Sequence, residues 1–141
     1  MARTTHVYRR GKSIFVVTMS KTVDGLWITD EPCSRLPADV APAELGAVVA
    51  KSLGESRQGV PHPSFKDDSH LRPLPAVSGL KSWSTFVKGA ELAVVRTEGD
   101  TVLVERHANQ GRGFAPGDAD PVTSSTEDPD GLGGAVFRQL G

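Results

Sequence analysis

The sequence predicts an α+β fold: two antiparallel β-sheets, each followed by a helix, related by an internal pseudo-twofold. Three observations carry that reading. The chain has 141 residues, 38% hydrophobic and 23% charged, which suits one globular domain spanning 1–141. Shifted by 87 positions, Pro42, Leu45, Gly46, Val49, Leu53 and Gly54 fall on Pro129, Leu132, Gly133, Val136, Leu140 and Gly141. Ahead of each copy lie β-branched runs separated by a glycine turn, the signature of a hairpin.

In chain order, Ser13–Thr18 alternates as a strand, Val23-Asp24-Gly25 turns, and Leu26-Trp27-Ile28-Thr29 returns. A short strand is expected around Leu36. The first helix opens at Pro42, where the missing N–H costs nothing, and stops at Gly54. Its apolar face is Leu45, Val48, Val49 and Leu53. Arg57–Gly79 holds four of the ten prolines, so it reads as a connection with room for one or two helical turns, Ser64 as N-cap and Asp67 at the third helical position. Residues 80–89 complete the link between halves at about 7–54 and 90–141. Trp83 and Phe86, three apart, read as core residues. The second half repeats the plan: Leu92–Val95, a turn at Glu98-Gly99-Asp100, Thr101–Glu105, a strand around Pro121-Val122-Thr123, and a helix with Leu132, Val136, Phe137 and Leu140 inward. Neither half can bury its own sheet face, so both are expected to share one core.

Composition excludes several functions. Sixteen basic and seventeen acidic side chains give a net charge of −1, which removes a bulk electrostatic case for coating nucleic acid or membrane. The sign is nevertheless segregated. Met1–Val23 carries five bases and no acid, whereas Gly113–Phe137 carries five acids (Asp118, Asp120, Glu127, Asp128, Asp130) and no base. Lone Cys33 supports neither a disulfide nor a thiolate cluster and reads as an idle thiol of a cytoplasmic protein. No apolar run approaches a signal-peptide core or the roughly 18 residues of a membrane span.

Chemistry-bearing motifs are sparse. Gly111-x-Gly113 and Gly131-x-Gly133-Gly134 lack the strand-to-helix setting and the Lys-Ser/Thr of a phosphate loop. His62, Asp67, Asp68 and His70 are metal-ligand types at no recognised zinc spacing, so no metal or cofactor is expected. With no nucleophile elbow or triad order, the chain reads as a non-enzyme; a hydrolase using His62 or His70 is the remote variant. Tyr8, Arg9, Arg10 and Lys12 mix a ring with cations, which suits single-stranded nucleic acid. The competing reading is a polar lead-in to an edge strand, where cations discourage aggregation.

A family resemblance enters at Gly59-Val60-Pro61-His62-Pro63, at Lys81-Ser82-Trp83-Ser84-Thr85-Phe86-Val87-Lys88-Gly89-Ala90, at Asn109 with Gly111, Gly113 and Phe114, and at the closing acidic-x-x-x-Leu-Gly helix. From about Val7 onward the chain resembles immunity proteins of contact-dependent growth inhibition systems. The resemblance implies a Whirly-like architecture and a cytoplasmic protein that binds and blocks the C-terminal toxin domain, often a nuclease, of a large secreted effector. Whirly-like folds also bind single-stranded DNA, which keeps that alternative by analogy. A nuclease needs a cationic cleft, so the acidic run points to Asp118, Asp120, Asp128 and Asp130 as partner-binding residues. Asn109, Arg112 and Phe114 on the Gly-rich loop complete the expected set, with Phe114 as apolar anchor.

Overall fold

The computed structural model describes residues 3–23, 25, 27–60, 89–98, 101–109, 114–116 and 121–140. The Pro-rich connection beyond Val60, the histidine–aspartate group at 62–70, and Trp83 with Phe86 lie outside the described residues.

Hairpin signals dictate the first elements. β1 (Thr4–Arg10) and β2 (Ser13–Thr22) pair antiparallel around Gly11, whose φ of 61° is the left-handed conformation a two-residue turn demands. The Gly25 N–H donates to the Thr22 carbonyl ahead of β3 (Trp27–Pro37), so Trp27–Thr29 and Leu36, expected in two segments, lie in one strand with an irregularity opposite Val17 and Thr18. Then come α1 (Pro42–Glu55) and β4 (Gln58–Val60), which runs parallel to the end of β2. The second half supplies the hairpin β5 (Ala90–Glu98) and β6 (Thr101–Asn109). β7 (Phe114–Pro116), β8 (Val122–Ser124) and α2 (Pro129–Leu140) follow.

The two expected sheets are one. β1 pairs with β5 along its whole length, from Thr4 opposite Arg96 to Arg10 opposite Ala90. The strand order is β3-β2-β1-β5-β6-β7, with β4 also on β2 and β8 also on β6. The basic N-terminal segment is therefore a central strand rather than an edge. Its polar residues are tolerated there because they have partners. Thr5 meets Ser52 at 2.8 Å, and Arg9 Nη2 donates to Glu91 at 2.9 Å and to the Leu140 carbonyl at 3.2 Å.

Both helices lie against one face of the sheet. There Val7, Ile14, Val16, Ala93, Val95, Val102 and Val104 meet Leu45, Val49, Leu53, Leu132, Val136 and Leu140. Alternate residues of the same strands (Tyr8, Phe15, Val17, Met19, Leu92, Val94) form a second buried cluster on the opposite face. The Ile14–Ser20 stretch is buried throughout, as expected of a strand covered on both faces.

Two glycines set how closely the helices approach. A Cβ on Gly46 would overlap the Pro129 carbonyl, and one on Gly133 would overlap the Pro42 carbonyl. Each glycine thus receives the start of the other helix. A hydroxyl cluster fixes the far end of α1: Ser52 Oγ lies 2.8 Å from Thr5 Oγ1 and 2.6 Å from Thr18 Oγ1, and Ser56 Oγ donates to the Met19 carbonyl at 2.5 Å. On α2, Gln139 Nε2 donates to the Val104 carbonyl at 3.1 Å.

Candidate partner-binding surface

Crossing the helices at these glycines brings their N-termini together, and with them two positive dipole ends. Five carboxylates surround the point: Asp39 and Glu44 by α1, Glu127, Asp128 and Asp130 by α2, all exposed. The spans 38–44 and 125–130 carry no base. Local hydrogen bonds hold the α2 side. Asp128 Oδ1 accepts the Gly131 N–H at 3.1 Å, and Ser125 Oγ accepts the Glu127 N–H at 3.1 Å. The α1 side has no side-chain cap, since Ala41 stands at that position and Pro42 follows. Glu44 and Asp130 in the first turns offset the adjoining dipoles. The acids therefore serve the helices and still present their charge to solvent.

The residues expected to bind a partner do not converge. Asp128 and Asp130 lie by β8, which pairs with Val102–Val104 of β6. Asn109 is at the far end of β6, opposite Phe114, seven residues and roughly 23 Å along the strand. Its Nδ2 donates to the Ala90 carbonyl at 2.9 Å, a tie between β5 and β6. Arg112, Asp118 and Asp120 lie outside the described residues. Sequence reasoning passed over Asp39 and Glu44, which stand in the other half. The sequence holds only half of the signal: the repeat gives matching helices, and their start-to-start packing is set by the contacts of Gly46 and Gly133.

The basic N-terminus offers little to a nucleic acid. Tyr8 is 3% exposed and has no free face for base stacking, and Arg9 is ion-paired with Glu91. On the same sheet face, His6 Nδ1 lies 3.3 Å from Tyr8 Oη. Burial, aided by His107, lowers the His6 pKa to about 4, and burial, then Cys33, pushes the Tyr8 hydroxyl upward. His107 Nε2 is 3.7 Å from Glu105, which accepts from Arg96 Nη2 at 2.5 Å. Among the described residues no group of three or more His, Cys, Asp or Glu is placed to hold a metal, and no helix is long and apolar enough to cross a membrane.

No family model matches the chain, and no curated protein does. Solved structures do match. One is a protein of unknown function, NMB0488 from Neisseria meningitidis, with TM-score 0.79 and 19% identity over 99% of this chain and 94% of that one. Another is a chain of the CdiA-CT/CdiI toxin and immunity complex from Yersinia pseudotuberculosis, with TM-score 0.78 and 17% identity over 99% and 96%. At such identities the likeness is one of fold: the chain has, from end to end, the architecture of a chain found in a toxin and immunity complex.

Proposed function

We propose that this chain is an immunity protein of a contact-dependent growth inhibition system. It works in the cytoplasm, binding and blocking the C-terminal toxin domain, a nuclease, of the effector. The observation that carries the reading is the fold shared over 99% of the chain with a member of the CdiA-CT/CdiI complex. Function then follows from charge. A nuclease cleft is cationic so that it can hold phosphates, and an inhibitor gains association rate by presenting carboxylates to it. Asp128 and Asp130, with Asp39, Glu44 and Glu127 around the meeting helix ends, provide such a surface. Asn109, Arg112, Phe114, Asp118 and Asp120 remain in the proposed partner-binding set on their sequence alone. Protection requires that almost no toxin stays free, hence a dissociation constant near nanomolar, about −12 kcal/mol.

We further propose that the scaffold is two copies of one strand–strand–helix unit about a pseudo-twofold, in the Whirly-like manner. The reciprocal approach of Gly46 to Pro129 and of Gly133 to Pro42 supports it. So does the β1–β5 register, in which His6 and Val94, each four residues before the end of its strand, face one another. Single-strand binding has no such support, because Tyr8 is buried.

The test is protection. Cells producing this chain are expected to survive delivery or expression of the toxin domain encoded beside it, and the purified chain to stop that domain's nucleic-acid cleavage. Undiminished killing and cleavage would refute the reading.

A further inference from the structure

Each helix forms a corner with the strand that precedes it, and the two corners are packed differently. In the first, Leu36 of β3 lies opposite Ile14, the second residue of β2, and Val48 is the seventh residue of α1; both pack against the core. In the second, Ser124 of β8 lies opposite Val102, the second residue of β6, and Ala135 is the seventh residue of α2. Two large apolar side chains are thus replaced by small ones. A groove of about 420 Å³ opens between β8 and α2, bounded by Ser124, Ser125, Asp128, Gly134, Ala135 and Arg138.

The groove begins at the acidic helix ends, where Glu127, Asp128 and Asp130 stand exposed with no base in 125–130. Asp128 uses Oδ1 for the Gly131 N–H, which leaves its other oxygen directed to no partner among the described residues. The hydroxyls of Ser124 and Ser125 add acceptors along one wall. Arg138, one end of the groove away along α2, bounds it with a like charge that would repel a cation from that end. The acidic end therefore selects the sign of an occupant and the place where its charge rests.

Resting on the immunity reading above, we infer that this groove is an anchor slot. It takes a Lys or Arg side chain of the toxin domain, lying with its head at Asp128 and Ser125 and its stem against Gly134 and Ala135. A long cationic side chain suits the slot: the stem finds apolar walls and the head finds carboxylate and hydroxyl oxygens. An anchor in a pocket beside a charged rim is also how binding energy concentrates in interfaces. The matching corner carries the larger side chains Leu36 and Val48 packed on the core, so the proposal divides the two halves into a structural corner and a binding corner.

The experiment measures binding of the purified toxin domain encoded beside this chain to full-length variants, by calorimetry at low and moderate salt. In Gly134→Leu the slot is filled, and the new Cβ itself meets nothing within 4 Å. Its affinity is expected to fall at least tenfold, while Ala47→Leu, at the same place on α1, leaves affinity unchanged. Wild-type affinity in Gly134→Leu overturns the slot. If that variant fails to fold, Ser124→Leu fills the slot from the other wall with the side chain the first corner already accommodates. A loss equally large at both salt concentrations overturns the cationic occupant. A wild-type chain that binds no toxin overturns the immunity reading instead, so the two failures are distinguishable.

Discussion

Gly133 and Gly134 are neighbours on α2, and the same substitution at each should act with opposite sign. Replacing a helical glycine by alanine removes backbone freedom from the unfolded chain and ordinarily stabilises by about 1 kcal/mol. Gly134 faces open space, so Gly134→Ala should gain most of that. At Gly133 the new methyl would collide with the Pro42 carbonyl, which is backbone and cannot swing aside. The helices must separate, loosening Leu45 and Val49 from Leu132 and Val136, at an overpacking cost of about 1–3 kcal/mol before the helix gain is subtracted. Gly133→Ala should therefore be the less stable of the pair by roughly 2 kcal/mol, and Gly46→Ala should behave like it. The pair Gly46→Ala/Gly133→Ala should cost less than the two single changes summed, because one separation relieves both collisions. Urea unfolding measures this as a shift in midpoint at constant slope. A Gly133→Ala protein as stable as Gly134→Ala would show that the helices do not meet as described.

Ser52→Ala removes the buried hydroxyl joining Thr5 to Thr18 and should cost about 1–3 kcal/mol by the same unfolding assay. His6 titrates below its ordinary value, so the unfolded chain takes up a proton that the folded chain refuses. Stability should be full above pH 6.5, decline as the pH falls towards 4, and be lower by about 2 kcal/mol at pH 5; His6→Gln should flatten that decline. The change Glu127→Gln/Asp128→Ser/Asp130→Asn removes charge while keeping a capping oxygen at 128. It should slow toxin association at low salt several-fold, measured by stopped flow, without lowering the urea midpoint appreciably.

What the sequence made legible follows from where its signals are local. The helix bounds at Pro42 and Pro129 were readable because proline at a first turn and apolar residues at helical spacing act within a few residues. The β5–β6 hairpin was readable from the β-branched runs Leu92–Val95 and Thr101–Glu105. β1 was read as a polar lead-in to an edge strand rather than as a strand, because Thr4, Thr5, His6, Arg9 and Arg10 look like solvent residues. Thr5, His6 and Arg9 have Ser52, Tyr8 and Glu91 as side-chain partners, and two of those three lie about fifty or more positions away. The same blindness to distance split one sheet into two, since nothing near Val7 or Ala93 records that they face each other. Asp128 and Asp130 were named for their charge, yet their neighbours Asp39 and Glu44 come from the other half through the helix crossing.

That crossing explains how one scaffold can keep its interior and still vary its exterior. The contacts that hold the halves together are glycine against backbone carbonyl, hydroxyl against hydroxyl, and aliphatic side chains on the inward helix faces. None of them uses Glu44, Glu127, Asp130 or Arg138, which are exposed at the helix surfaces. Substitutions at those positions are free of the core's packing penalty and change chiefly the field and shape offered to a partner. A binding surface of this kind can diverge to match a diverging toxin while Leu45, Val49, Leu132 and Val136 stay as they are. On the slot proposal it also separates stability from recognition: Leu36 packs on the core at one corner, and the groove beside Ser124 lies at the other.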